Sequence, residues 1–188
     1  SLKINLYDYK ISNLFKPNSI INEFIKSGLL FNENISVHPL VNIESTKKDE
    51  IFNEAKLELR VLNGKISFDN SIFINNNIGL MEISNSDLFL ENDKLILTSN
   101  LSIDIKDIDG LFSFLNTSKK SRKDIKNIKL NIIYDFLSNQ IELKNIKIND
   151  DDVSSQFSNI AEGFIDNNSN NLTKSRKLLN ELIDLYEG

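Results

Sequence analysis

His38 is the single histidine of this 188-residue chain, and there is no cysteine. Imidazole acid–base chemistry therefore has one candidate. Thiolate nucleophiles, thiolate metal sites and disulfides have none. His38 stands before Pro39 in a strand-like stretch, which suits a structural or surface side chain better than a base. Asp150-Asp151-Asp152 could hold a hard cation. The run lacks the alternating oxygen ligands and turn glycine of a calcium loop, so a helix N-cap is the better reading. Asp104, Asp107 and Asp109 bracket a strand-to-helix turn, and capping accounts for them as well. The basic run Lys119-Lys120-Ser121-Arg122-Lys123 could meet a lipid phosphate or be a solvated loop. No phosphate-binding glycine loop, nucleophile elbow or zinc-binding helix motif occurs. The polar side chains form no catalytic constellation, so the sequence predicts a non-enzyme with no catalytic residue, metal ligand or cofactor.

Composition narrows the class further. A net charge of −5 and a pI near 5.0 argue against nucleic acid as a partner. Apolar content of 40% and charged content of 26% are ordinary for a globular domain that can bury a core. No apolar run approaches the ~18 residues of a membrane span. The chain starts at Ser1 and enters a strand-like run at once, as expected of the C-terminal fragment of a longer protein. Asn, Ile and Lys are used heavily, the mark of an AT-rich genome. That bias also accounts for the Asn-x-Ser/Thr triplets at Asn34, Asn100, Asn116 and Asn171.

The elements that would position any site are mostly strands. Residues 55–62 alternate, Asn63-Gly64 supplies a type I′ turn, and residues 65–68 alternate again. This sets Val61 opposite Ile66, Leu59 opposite Phe68 and Leu57 opposite Asn70. One face then carries Leu57, Leu59, Val61, Ile66 and Phe68, continuing to Ile72 and Ile74. A turn at Asn85-Ser86 would pair Ile83 with Leu88 and Met81 with Leu90. A turn at Asn92-Asp93 would pair Leu90 with Leu95 and Leu88 with Leu97. The same parity runs on through Leu101, Ile103 and Ile105, so three strands share one apolar face. A fourth hairpin at Ser138-Asn139 would set Phe136 against Ile141 and Tyr134 against Leu143. Ile146 and Ile148 are out of phase with Leu143, which predicts a β-bulge near Asn145 or an edge covered on both faces.

Helices and loops fill the remainder. Residues 2–9 alternate as a strand. Pro17-Asn18-Ser19 opens a short helix with Ile20, Ile21, Phe24 and Ile25 on one side, and Gly28 stops it. Residues 35–44 form a strand interrupted by Pro39, hence an edge or bent strand. Asp107 caps a helix of about two turns carrying Ile108, Leu111, Phe112 and Leu115. The Asp150–Asp152 run should cap a helix over 152–165 with Val153, Phe157, Ile160, Ala161 and Phe164 on one face. A polar linker over 167–171 leads to a last helix, Thr173 to Tyr186, with a Leu178, Leu182, Leu185 stripe. The expectation is one α+β domain over 1–188: a strand-helix-strand segment over 1–50, a curved, trough-like, mainly antiparallel sheet over 51–149 with a helical insert at 107–116, and C-terminal helices over 150–188.

Several stretches resemble the C-terminal region of AsmA-like proteins from AT-rich alphaproteobacteria. They are Leu62-Asn63-Gly64-Lys65-Ile66-Ser67-Phe68, Ser86-Asp87-Leu88-Phe89-Leu90, Phe112-Ser113-Phe114-Leu115 leading into the basic run, Tyr134-Asp135-Phe136-Leu137-Ser138-Asn139, and Leu178-Leu179-Asn180-Glu181-Leu182. The resemblance covers roughly 50–188 and lies in texture and order of elements. It implies a bridge-like lipid-transfer protein held in the inner membrane by an N-terminal helix that this chain lacks. A periplasmic β-trough would conduct phospholipid acyl chains towards the outer membrane, with an outer-membrane or other envelope protein as a further partner. The groove lining would then be Leu57, Leu59, Val61, Ile66, Phe68, Met81, Ile83, Leu88, Leu90, Leu95, Leu97, Leu101 and Ile103. The residues themselves leave a second reading open, in which the helices close the apolar face into a core. The domain would then dock on a partner through a sheet edge or the last helix.

Overall fold

A computed structural model describes residues 2–16, 18–47, 50–138, 140–154 and 172–186. The expected helix beyond Ser154, the 167–171 linker and Asn139 of the expected fourth turn lie outside the described residues. So do the side chains of Leu178 and Leu185.

The fold is α+β and dominated by one open, mostly antiparallel sheet of 12 strands among the described residues. The strands are β1 (Leu2–Tyr7), β2 (Ser36–Val37), β3 (Pro39–Glu44), β4 (Glu54–Glu58), β5 (Arg60–Leu62), β6 (Lys65–Ser67), β7 (Ile72–Asn75), β8 (Gly79–Glu91), β9 (Lys94–Ile105), β10 (Asn127–Asp135), β11 (Gln140–Ile148) and β12 (Asp151–Asp152). Their order is β1-β3-β4-β7-β8-β9-β10-β11-β12, with β2, β5 and β6 continuing the rows of β3, β4 and β7. Apart from β1, which lies parallel to β3, the sheet is a meander of long strands. The parallel step needs a crossover. Helix α1 (Ile20–Lys26) lies in it, capped by Ser19, whose Oγ accepts from the Asn22 N–H at 3.1 Å.

The Asn63-Gly64 turn forms as the residues dictate, both at positive φ, and Val61 faces Ile66. The Asn92-Asp93 turn also forms, pairing Leu90 with Leu95 and Leu88 with Leu97. Three expected registers are corrected. Leu57 does not face Asn70: the β4–β7 register, with Lys56 opposite Ile72, is offset by one residue from the β5–β6 register because Asn70 enters the left-handed region and adds a residue between β6 and β7. Phe73 consequently takes the core position, and Ile72 and Ile74 turn to the other face. No turn occurs at Asn85-Ser86. Asn85, at φ 49°, makes a bulge within the continuous 13-residue strand β8. The parity switch inferred there is real, since a bulge moves Ile83 and Leu88 onto one face as a turn would. Two strands, not three, therefore build that part of the face. The β10–β11 hairpin is shifted by two residues, with Tyr134 facing Ile141 and Ile132 facing Leu143. Asp135 causes the shift by accepting from the Leu137 N–H at 2.9 Å and the Ser138 hydroxyl at 2.7 Å, which starts the loop early.

The bulge at Asn145 is present, at φ 50°, and it returns Ile146 and Ile148 to the apolar face. Pro39 opens β3, which lies inside the sheet between β1 and β4, so the strand is broken at His38 without being an edge. Asp107 caps α2 (Ile108–Leu115), accepting from the Gly110 N–H at 3.0 Å. The Asp run does not act as one cap. Asn149 and Asp150 turn the chain at positive φ, Asp151 and Asp152 pair with β11, and only the Asp152 carboxylate accepts from the Ser154 N–H, at 2.9 Å. Helix α3 spans Leu172–Leu185.

Candidate functional site

The register places a single apolar face across the whole sheet, and three buried clusters lie on it. The segment 11–35 covers one end. Ile11 and Leu14 pack with Ile43, Ala55 and Phe73, while Ile25 and Leu30 pack with Val61, Ile66, Leu88, Leu95 and Phe136. At the other end α2 and α3 lay Phe112, Leu115, Leu182 and Ile183 over Ile146 and Ile148. Helix α3 is also pinned by polar bonds. Asn180 donates to the Leu115 carbonyl at 3.0 Å and accepts from the Thr117 hydroxyl at 2.5 Å.

The predicted lining residues divide into four groups. Val61, Ile66, Leu88 and Leu95 are buried beneath the N-terminal segment and belong to a closed core. Leu57, Leu59, Phe68, Met81, Ile83 and Leu97 are half-buried at the margins of the clusters. Leu101 and Ile103 are half-buried outside all three clusters, as is Ile132, which the sequence reading did not include. Leu101 pairs with Ile83 and Leu130, and Ile103 with Met81 and Ile128. These residues form an apolar seam between the two helical covers. Leu90 is exposed beside the β8–β9 turn.

Leu90 belongs to a second apolar feature. The β5–β6, β8–β9 and β10–β11 turns all lie at one end of the sheet, where Val61, Ile66, Leu88, Leu95 and Phe136 meet. Each of these turns exposes a leucine: Leu62, Leu90 and Leu137. With Val37, which pairs with Val61 at this end and is also exposed, they make an apolar rim. Leu62 and Leu137 could have been found from sequence as turn-flanking leucines outside the shared parity, whereas Leu90 lies within it.

The wet face carries the ordered polar groups. An asparagine ladder crosses it, Asn145 donating to Asn131 at 2.6 Å and Asn131 to Asn100. A shallow depression of about 640 Å³ lies over this ladder, edged by Ser84, Ser102, Lys129 and Lys147. Of the predicted lining residues only Leu101 borders it. Closer to β1, the strand breaks at His38, Leu59 and Asp69–Ser71 and the bulge at Asn85 follow one another across the sheet. Polar side chains bind this crease. The Glu58 N–H donates to Ser71 Oγ at 3.0 Å, and the Phe68 N–H to Ser86 Oγ at 2.7 Å. The buried Glu58 carboxylate receives Arg60 Nη2 at 2.6 Å and His38 Nε2 at 2.9 Å. The Arg60 hydrogen bond is the main cause that holds Glu58 below the usual carboxylate range, with burial opposing it and His38 assisting. His38 thus serves as a structural partner of a buried carboxylate.

The described residues contain no group of three or more His, Asp or Glu side chains able to hold a metal. No helix among them is long and apolar enough to cross a membrane. Compared with protein-family models, curated proteins and solved structures, the chain matches none.

Proposed function

We propose that this chain is a non-enzymatic lipid-handling module of the cell envelope, whose apolar sheet face receives phospholipid acyl chains. The observation that carries this reading is the apolar rim at the turn end of the sheet. Leu62, Leu90 and Leu137 flank the turns at that end and are exposed, as is Val37, which pairs with Val61 there. Clustered exposed apolar side chains mark contact with a lipid phase or a protein partner. The seam of Met81, Ile83, Leu101, Ile103 and Ile132 would hold the acyl chain, a narrower lining than the sequence suggested. In this reading the module lies in the periplasm as part of a longer protein anchored in the inner membrane, in keeping with the AsmA-like texture of 50–188. It would pass lipid towards the outer membrane.

The burial of Val61, Ile66, Leu88 and Leu95 favours a second reading. Here the domain is a closed interaction module, and the rim docks on an envelope protein. Lipid extraction from the purified chain and vesicle flotation separate the two. The lipid reading expects co-purifying phospholipid that Leu101→Asp abolishes with the fold retained. It also expects flotation with phosphatidylcholine vesicles that is lost in a Leu62→Asn, Leu137→Asn double variant. A lipid-free chain that ignores vesicles favours the closed module.

A further inference from the structure

The two edges of the sheet differ in kind. At one end the edge is β11, of which only Lys147 and Ile148 pair with the two aspartates of β12; the rest of its outer side carries Glu142, Lys144 and the Asn145 bulge, charges and a kink that discourage pairing with another strand. At the other end β1 has six residues, and its outer side pairs with no strand among the described residues. It contains no proline and one charge, Lys3. Strand β1 therefore lacks the devices that normally keep an edge from pairing. Its register with β3 puts Leu2 beside Pro39, Ile4 beside Val41 and Leu6 beside Ile43, so all three lie on the apolar face. Leu2 is 61% and Ile4 38% exposed on that face.

We propose that the β1 edge is a two-fold interface with a second copy of this chain. The pattern of β1 is symmetric in character about Ile4. Antiparallel pairing about that residue sets Ile4 against the partner's Ile4, Leu2 against the partner's Leu6, and Lys3 against the partner's Asn5. No like charges meet, and every apolar side chain stays on the apolar face of both copies. A two-fold axis normal to the sheet keeps both faces in register, so the apolar face runs unbroken across the pair. Pairing by one residue more or less would oppose an apolar side chain to a polar one at each step. The inference rests on the edge alone and does not depend on the lipid reading.

Sedimentation equilibrium of the 188-residue chain tests it. The expected mass at tens of micromolar is twice the chain mass of 21.5 kDa. Ile4→Lys places two ammonium groups opposite each other on the axis and should weaken association at least about tenfold. Since the chain has no cysteine, cross-linking reports the register directly. Ile4→Cys should oxidise to a covalent dimer. A mixture of Leu2→Cys and Leu6→Cys chains should cross-link while neither does so alone, a result that also stands if Ile4→Lys fails to fold. A single-chain mass across the concentration range overturns the proposal. So does a dimer that survives Ile4→Lys, or cross-linking in another register.

Discussion

Substituting Leu88 and Leu101 separately by aspartate decides how much of the apolar face is core. Both lie on the same face of adjacent strands, and both lose the same apolar side chain. Leu88 is 2% exposed, paired with Leu97 and Ile66 and roofed by Ile25 and Leu30. Removing its side chain costs about 2–5 kcal/mol. A carboxylate left there without a partner adds several kcal/mol or binds a proton. The sum approaches the total stability of about 5–15 kcal/mol that such a domain has. Leu101 lies in the half-exposed seam, where a carboxylate can turn to water, and the cost is about 1–2 kcal/mol. The assay is urea unfolding followed by circular dichroism. With a slope of about 1–3 kcal/mol per molar urea, the midpoints should differ by at least about 1 M, and Leu88→Asp should have no folded baseline at neutral pH. Midpoints within a few tenths molar of each other would refute the division of this face into core and seam.

Three further outcomes follow from particular contacts. A Cβ at Gly110 would meet the Asn77 carbonyl oxygen at 2.0 Å, so Gly110→Ala should lower the melting temperature despite the better helix propensity of alanine. Asn180→Ala removes the bonds to Leu115 and Thr117 and should cost about 1–3 kcal/mol, with hydrogen exchange rising first in α3. Glu58 has a lowered pKa in the folded state, so its contribution is complete above the unfolded carboxylate pKa and is lost as pH falls through the folded value. Glu58→Gln should therefore be less stable than the parent at pH 7, and the gap between their denaturation midpoints should narrow as the pH is lowered below about 4.

The sequence by itself determined the elements whose causes are local. The Asn63-Gly64 and Asn92-Asp93 turns, the helix start after Pro17-Asn18-Ser19, the Asp107 cap and the bulge at Asn145 follow from residues whose conformational preferences act within a few positions. Alternation then fixed which side of most strands is apolar, because a one-residue slip would expose the whole set. Asparagine carried more information than codon bias allows. Asn70, Asn85, Asn116, Asn145 and Asn149 occupy left-handed positions at bulges, turns and a helix end, where this side chain tolerates positive φ. At Asn85 a turn and a bulge give the same parity, so the pattern could not tell them apart; pairing of both halves of β8 with β9 decided it. Only the tertiary structure decided which part of the apolar face is core. Leu88 and Leu101 look alike along the chain, and the difference lies in whether residues 11–35 or α2 and α3 reach over them. That depends on where the parallel crossover and the C-terminal helix dock, contacts between segments far apart in sequence that no local pattern encodes.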